Sequence, residues 1–156
     1  MISMKRSTER ELIFKLMFMS EFYEKKELGD ELLLYFDSPV PFDDNEDEET
    51  KELIDKITLK ESVKDSDRQK LVAKYVDIID RVEDIDEKIK GASKSWTIDR
   101  IGKVELAVIR LGLYEIFYDD SVPTSVAINE AVELAKKFGP EGSYAFVNGI
   151  LAEFAD

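Results

Sequence analysis

The sequence contains no cysteine and no histidine. Without cysteine there is no disulfide, no thiol nucleophile and no thiolate metal site. Without histidine, Ser–His–Asp and Cys–His catalysis and nearly all protein zinc sites are excluded as well. Carboxylates, lysines and tyrosines are what remains for chemistry, and their carboxylate pairs fall on charged helix faces or in an acidic loop. No catalytic residue, metal ligand set or cofactor is therefore expected. The seven glycines are scattered, and Gly139-Pro140-Glu141-Gly142 lacks the lysine and hydroxyl residue that would complete a phosphate loop. No apolar run approaches the ~20 residues that a membrane span needs. The start, MISMKRSTERE, is charged at once and has neither the apolar stretch nor the cleavage site of a signal peptide. These absences predict a soluble, cytoplasmic, non-enzymatic protein.

Positive charge is also scarce. Twenty-two lysines and arginines stand against 35 acids, for a net charge of −13. Nucleic-acid phosphates demand basic side chains, so the balance argues at first against an RNA partner. The distribution softens that objection. Residues 1–26 hold six basic side chains (Lys5, Arg6, Arg10, Lys15, Lys25, Lys26) against four acidic ones, whereas residues 27–60 hold three against twelve. A basic protein is as natural a partner as an RNA.

What is present is helical periodicity. With 44% apolar residues in 156, the chain can build one domain with a core. Thr8 and Glu11 have capping-box spacing and predict a helix from about residue 9. Leu12, Ile13, Leu16, Met17, Ser20 and Tyr23 share one face of it, while Phe14, Phe18 and Phe22 form a second stripe nearly opposite. Such a helix is either buried on both sides or offers its phenylalanines to another chain. Gly29 separates it from a short helix over 31–36. The acidic stretch from Asp37 to Thr50 follows; its Asp43, Asn45 and Asp47 begin an EF-hand spacing, but Glu48 and Ile54 occupy the glycine and glutamate positions, so it reads as a solvated loop.

A short helix around 48–58 comes next. A long one then starts at Asp65 or Ser66 and ends at Gly91, with Leu71, Val72, Tyr75, Ile78, Ile79, Val82, Ile85 and Ile89 inward. Beyond Trp96, the segment from Ile98 to about Tyr118 places Ile101, Val104, Ala107, Val108, Leu111, Tyr114 and Ile116 in the core. Asp119 and Asp120 stop it. AINEAVELAKKF continues helically from a cap at Thr124 or Ser125 to Gly139, a suitable C′ glycine. The last helix begins near Glu141 or Gly142, and it contains Asn148-Gly149, a turn dipeptide, amid the helical spacing of Phe146, Val147, Ile150, Leu151 and Phe154. No strand alternation or fixed-period repeat is visible, so about seven helices make an all-α domain.

Residues 100–151 carry a specific resemblance. Arg100-Ile101, Val104-Glu105, Arg110, Tyr114-Glu115, Val122-Pro123, Ala127 to Ala131 and Phe146 to Leu151 together resemble the C-terminal core of the NusB family of bacterial transcription antitermination factors. The opening MKRSTERELIFKLMF is similar to the family's basic start, while residues 30–65 show no convincing match. The resemblance implies an all-α, non-enzymatic fold of two packed helical subdomains, about 1–92 and 93–156, in a single NusB-like domain. It implies pairing with a small-subunit ribosomal protein that doubles as Nus factor E. It also implies binding of boxA-type RNA within an RNA polymerase antitermination complex, notably on ribosomal RNA operons. Some relatives form homodimers, for which the phenylalanine stripe is a suitable face.

Carried over by position, Lys5, Arg6, Arg10, Phe146 and Asn148 are the expected RNA contacts, and Phe14, Phe18, Phe22 and Glu105 the expected protein contacts. Phe146 also fits the core. Asn148 and Asn129 also fit structural hydrogen bonds between helices, Gly149 a close helix–helix approach, and Arg110 an internal carboxylate pair. Ser7 and Glu9 interrupt the basic segment, and Gly142 and Ala145 replace positions that are often polar, so RNA affinity without the partner is expected to be low. Two rivals stay open: a detached relative of the domain that precedes an RNA cytosine methyltransferase, and a helical adaptor that binds protein only.

Overall fold

The computed structural model describes residues 5–21, 48, 64–92 and 97–155. Among them there are six α-helices, one 3₁₀ turn and no strand. The helices are α1 (Arg6–Ser20), α2 (Asp65–Asp80), α3 (Val82–Ala92), α4 (Lys103–Tyr118), α5 (Thr124–Phe138) and α6 (Ser143–Ala152), with the 3₁₀ turn at Ile98–Arg100 before α4. The all-α expectation holds. The helix over 31–36, the acidic loop and the helix around 48–58 lie outside the described residues except for Glu48, which is helical and exposed.

The chain divides into two compact units, Met1–Val76 and Asp77–Asp156. In the first, α1 starts a turn earlier than the Thr8–Glu11 box predicts. Its cap is Lys5, whose carbonyl accepts from the Glu9 N–H at 2.9 Å, so Thr8 is already inside the first turn. Both stripes of α1 are buried: Leu12, Ile13, Leu16 and Met17 on one side, and Phe14 and Phe18 on the other, with these two rings 6.3 Å apart. Lys74 on α2 reaches Glu9 on α1 at 3.3 Å. At the far end of α1, the Ser20 hydroxyl donates to the Met17 carbonyl at 2.6 Å, satisfying one of the acceptors a helix end leaves over.

The helix predicted to run unbroken to Gly91 is two. A turn at Arg81, whose N–H donates to the Ile78 carbonyl at 3.0 Å, ends α2 and lets α3 begin. Arg81 is held there by Asp77 at 3.4 Å and by the Tyr118 ring, 4.4 Å from its guanidinium carbon.

In the second unit α4 is the central element, packed by α3, α5 and α6, while α5 and α6 pack on each other. Its sequence explains the position: α4 is buried at Val104, at every residue from Leu106 to Ile109 and again from Leu111 to Glu115, far more than one amphipathic stripe. Gly112 marks a close approach between helices, since a Cβ there would stand 3.1 Å from a Leu151 methyl and 3.5 Å from the Ala131 Cβ. The close approach expected at Gly149 is therefore found at Gly112. Around Gly149 nothing lies within 4 Å of an added Cβ.

The connection from α5 to α6 uses its glycines differently from the sequence expectation. Gly139 has ordinary extended backbone (φ −87°), not the left-handed C′ form; it is small because the Ser143 hydroxyl and the Ala135 carbonyl crowd its Cβ position. Gly142 is the residue with positive φ, +86°, and it starts α6.

Candidate functional site

The basic start places Lys5 and Arg6 in solvent at the beginning of α1. Arg10, one turn on, is buried at 9% exposure. It belongs to the packed side of α1, less open to a phosphate than Lys5 and Arg6. The spacing could not reveal this, because a helix with two apolar stripes leaves no room for a wholly solvated third face.

The expected protein contacts divide in the same way. Phe14 and Phe18 are fully enclosed (0%), so the reading of α1 as buried on both sides is the one that describes them. Phe22 lies outside the described residues. Glu105 is half-buried, in the first turn of α4. Its carboxylate folds back over the helix start and occupies the space a side chain on Gly102 would need. A carboxylate at this position is favoured by the unpaired N–H groups and the helix dipole, and Gly102 provides no side-chain cap of its own. Glu105 therefore has a structural task beside any partner it meets.

Two polar pairs brace the second unit. Arg110 donates twice to Asp86, Nε to Oδ1 and Nη2 to Oδ2, both at 2.9 Å, the internal pair the sequence suggested. Tyr114 donates to Asp77 at 2.6 Å. Burial, then the hydrogen bond to Asp77 and that residue's charge, hold the Tyr114 phenol well above its ordinary pKa. Among the described residues no group of acidic side chains could hold a metal ion.

At the other end of the chain, Phe146 is half-buried and Asn148 is exposed. Tyr144 beside them is 44% exposed, with the Lys136 ammonium 5.2 Å from its ring centre and Glu133 3.5 Å from Lys136. Asn129 is also exposed, and the inter-helix bond expected of it is absent among the described residues. Both asparagines line one groove of about 540 Å³ between α5 and α6, with Thr124, Ser125, Ile128, Ala152 and Ala155. Sequence reasoning missed this groove, yet a signal was there: α6, SYAFVNGILA, has no charged residue in a chain that is 37% charged.

The model of the NusB family matches residues 7–156. The Transcription antitermination protein NusB of Agathobacter rectalis is 41% identical over 152 residues, spanning 97% of this chain and 100% of that protein. Its counterpart from Lachnoclostridium phytofermentans is 39% identical over 153 residues, 98% and 100% of the two chains. A solved structure of T. maritima NusB superposes with a TM-score of 0.70 at 27% identity, covering 99% of this chain and 92% of that one.

Proposed function

Because this chain belongs to the NusB family, whose members are transcription antitermination factors and not enzymes, we propose that it works by pairing with a small-subunit ribosomal protein, the Nus factor E. The pair binds a boxA-type element of nascent RNA and helps RNA polymerase read through terminators, notably in ribosomal RNA operons. Family membership over nearly the whole chain is the observation that carries this reading.

Exposed Lys5 and Arg6 support an RNA contact at the start of α1, and half-exposed Phe146 supports one at the start of α6. With Arg10 buried, fewer phosphates are neutralised, so affinity for RNA alone is low and its salt dependence shallow. The net charge of −13 favours encounter with a basic ribosomal protein, with Glu105 at the contact.

The test is fluorescence anisotropy of a labelled boxA-type RNA at fixed salt, with and without the host's own ribosomal partner. Binding should appear or tighten by about tenfold or more when the partner is added. A folded protein that binds the ribosomal protein but no RNA in either arm would instead establish the protein-only adaptor, the reading that the buried Arg10 favours next.

A further inference from the structure

We infer that the groove between α5 and α6 is a docking site for a neutral, extended segment of a protein partner, held through its main chain by Asn129 and Asn148. The two carboxamides project from different helices into one groove, and neither bonds to another group among the described residues. Asparagine is a poor helix former, so two of them in mid-helix, exposed and without an internal bond, gain nothing for the fold itself.

The chemistry of the walls selects the occupant. Thr124, Ser125, Ile128, Asn129, Asn148, Ala152 and Ala155 carry no charge, in a chain with 57 charged side chains. A nucleic-acid strand brings a phosphate with every nucleotide and needs cations to receive it; here there is none, and Glu153 stands exposed at the end of α6. A peptide group is neutral and offers one N–H and one C=O. Each carboxamide offers the complement, a carbonyl acceptor and an NH₂ donor.

The side chains of Ala152 and Ala155 are short enough to admit a backbone, and Gly149 leaves open space beside them. The run from Thr124 to Asn129 is about 7.5 Å along the α5 axis, the reach of two or three extended residues. Ile128, 9% exposed, adds a small apolar strip to the lining. On the functional reading above, on which this inference rests, the segment belongs to the ribosomal protein.

The experiment compares the full-length wild type with Asn129→Ala/Asn148→Ala and with Ala152→Trp, which fills the groove. Three quantities are measured: melting temperature, affinity for the purified ribosomal protein, and affinity of each chain alone for boxA-type RNA at low salt. Asn129→Ala/Asn148→Ala should melt at or slightly above the wild type, and Ala152→Trp close to it. Both should lose about tenfold or more in affinity for the ribosomal protein. Ala152→Trp, which removes no expected RNA contact, should retain the wild-type RNA affinity. Unchanged partner affinity in both variants overturns the groove assignment and leaves the functional reading intact. A loss of RNA affinity in Ala152→Trp instead makes the groove a base-reading site and also overturns it. A wild type that does not bind the ribosomal protein brings down the functional reading and this assignment with it.

Discussion

Arg110 and Asp86 face each other through two parallel hydrogen bonds with little solvent access, 13% and 19% side-chain exposure. Removing one partner leaves the other charge poorly solvated, so Arg110→Leu should lower unfolding stability by about 2–3 kcal/mol in a denaturant titration. The exposed Lys90–Glu87 pair, by contrast, should be worth less than about 1 kcal/mol. Tyr114 makes a separate prediction. Its phenol is held protonated by burial and by Asp77, so its folded pKa lies above the unfolded value of 10.0. A raised pKa contributes stability that is fully present below pH 10 and is lost as pH rises beyond it, because the unfolded chain ionises first. Ultraviolet titration of the folded protein should show Tyr114 resisting ionisation, a late step that Tyr114→Phe removes.

At the scale of elements, four glycines near α4 and α6 do four different things, and their substitutions should differ in sign. Gly149→Ala meets open space in a helix interior, so it should raise stability by about 0.5–1 kcal/mol through helix propensity alone. Gly142→Ala keeps the space but must adopt φ +86°, which should cost about 1 kcal/mol or more. Gly112→Ala presses on Leu151, and Gly139→Ala on the Ser143 hydroxyl and the Ala135 carbonyl; both should lower the melting temperature. Thermal unfolding of the four variants tests the set. Gly149 is the instructive one: the Asn-Gly pair looked like an accommodation to packing, yet the residues that need smallness lie elsewhere. Helix boundaries erred for a similar reason. Thr8–Glu11 had the spacing of a cap, but the backbone of Lys5 had already closed the first turn.

For the molecule as a whole, α1 is a structural member before it is an interface. Phe14→Ala and Phe18→Ala should each lower stability by about 3–5 kcal/mol, seen as a loss of cooperative unfolding and not as a selective loss of one partner. Lys5→Glu with Arg6→Glu should leave stability within about 0.5 kcal/mol of wild type. On the antitermination reading, it should weaken RNA binding and flatten its log–log salt dependence by about two units. The acidity that argues against RNA at the level of composition is, on the same reading, what draws in a basic protein.

The helical class, most of the buried positions and family membership were all legible from the sequence. Apolar spacing at three and four residues and a long specific run of motif residues depend only on local order along the chain. Tyr75, Ile78, Ile85, Ile89, Leu111 and Leu151 lie in the core as that spacing requires. What the tertiary structure decided was which side of a doubly apolar helix stays available. Phe14, Phe18 and Arg10 are enclosed, while Asn129 and Asn148 stand open on opposite walls of one groove. Periodicity places a residue on a face of its own helix, but only the packing of other helices decides whether that face meets water, because burial is a property of neighbours that sequence spacing does not contain.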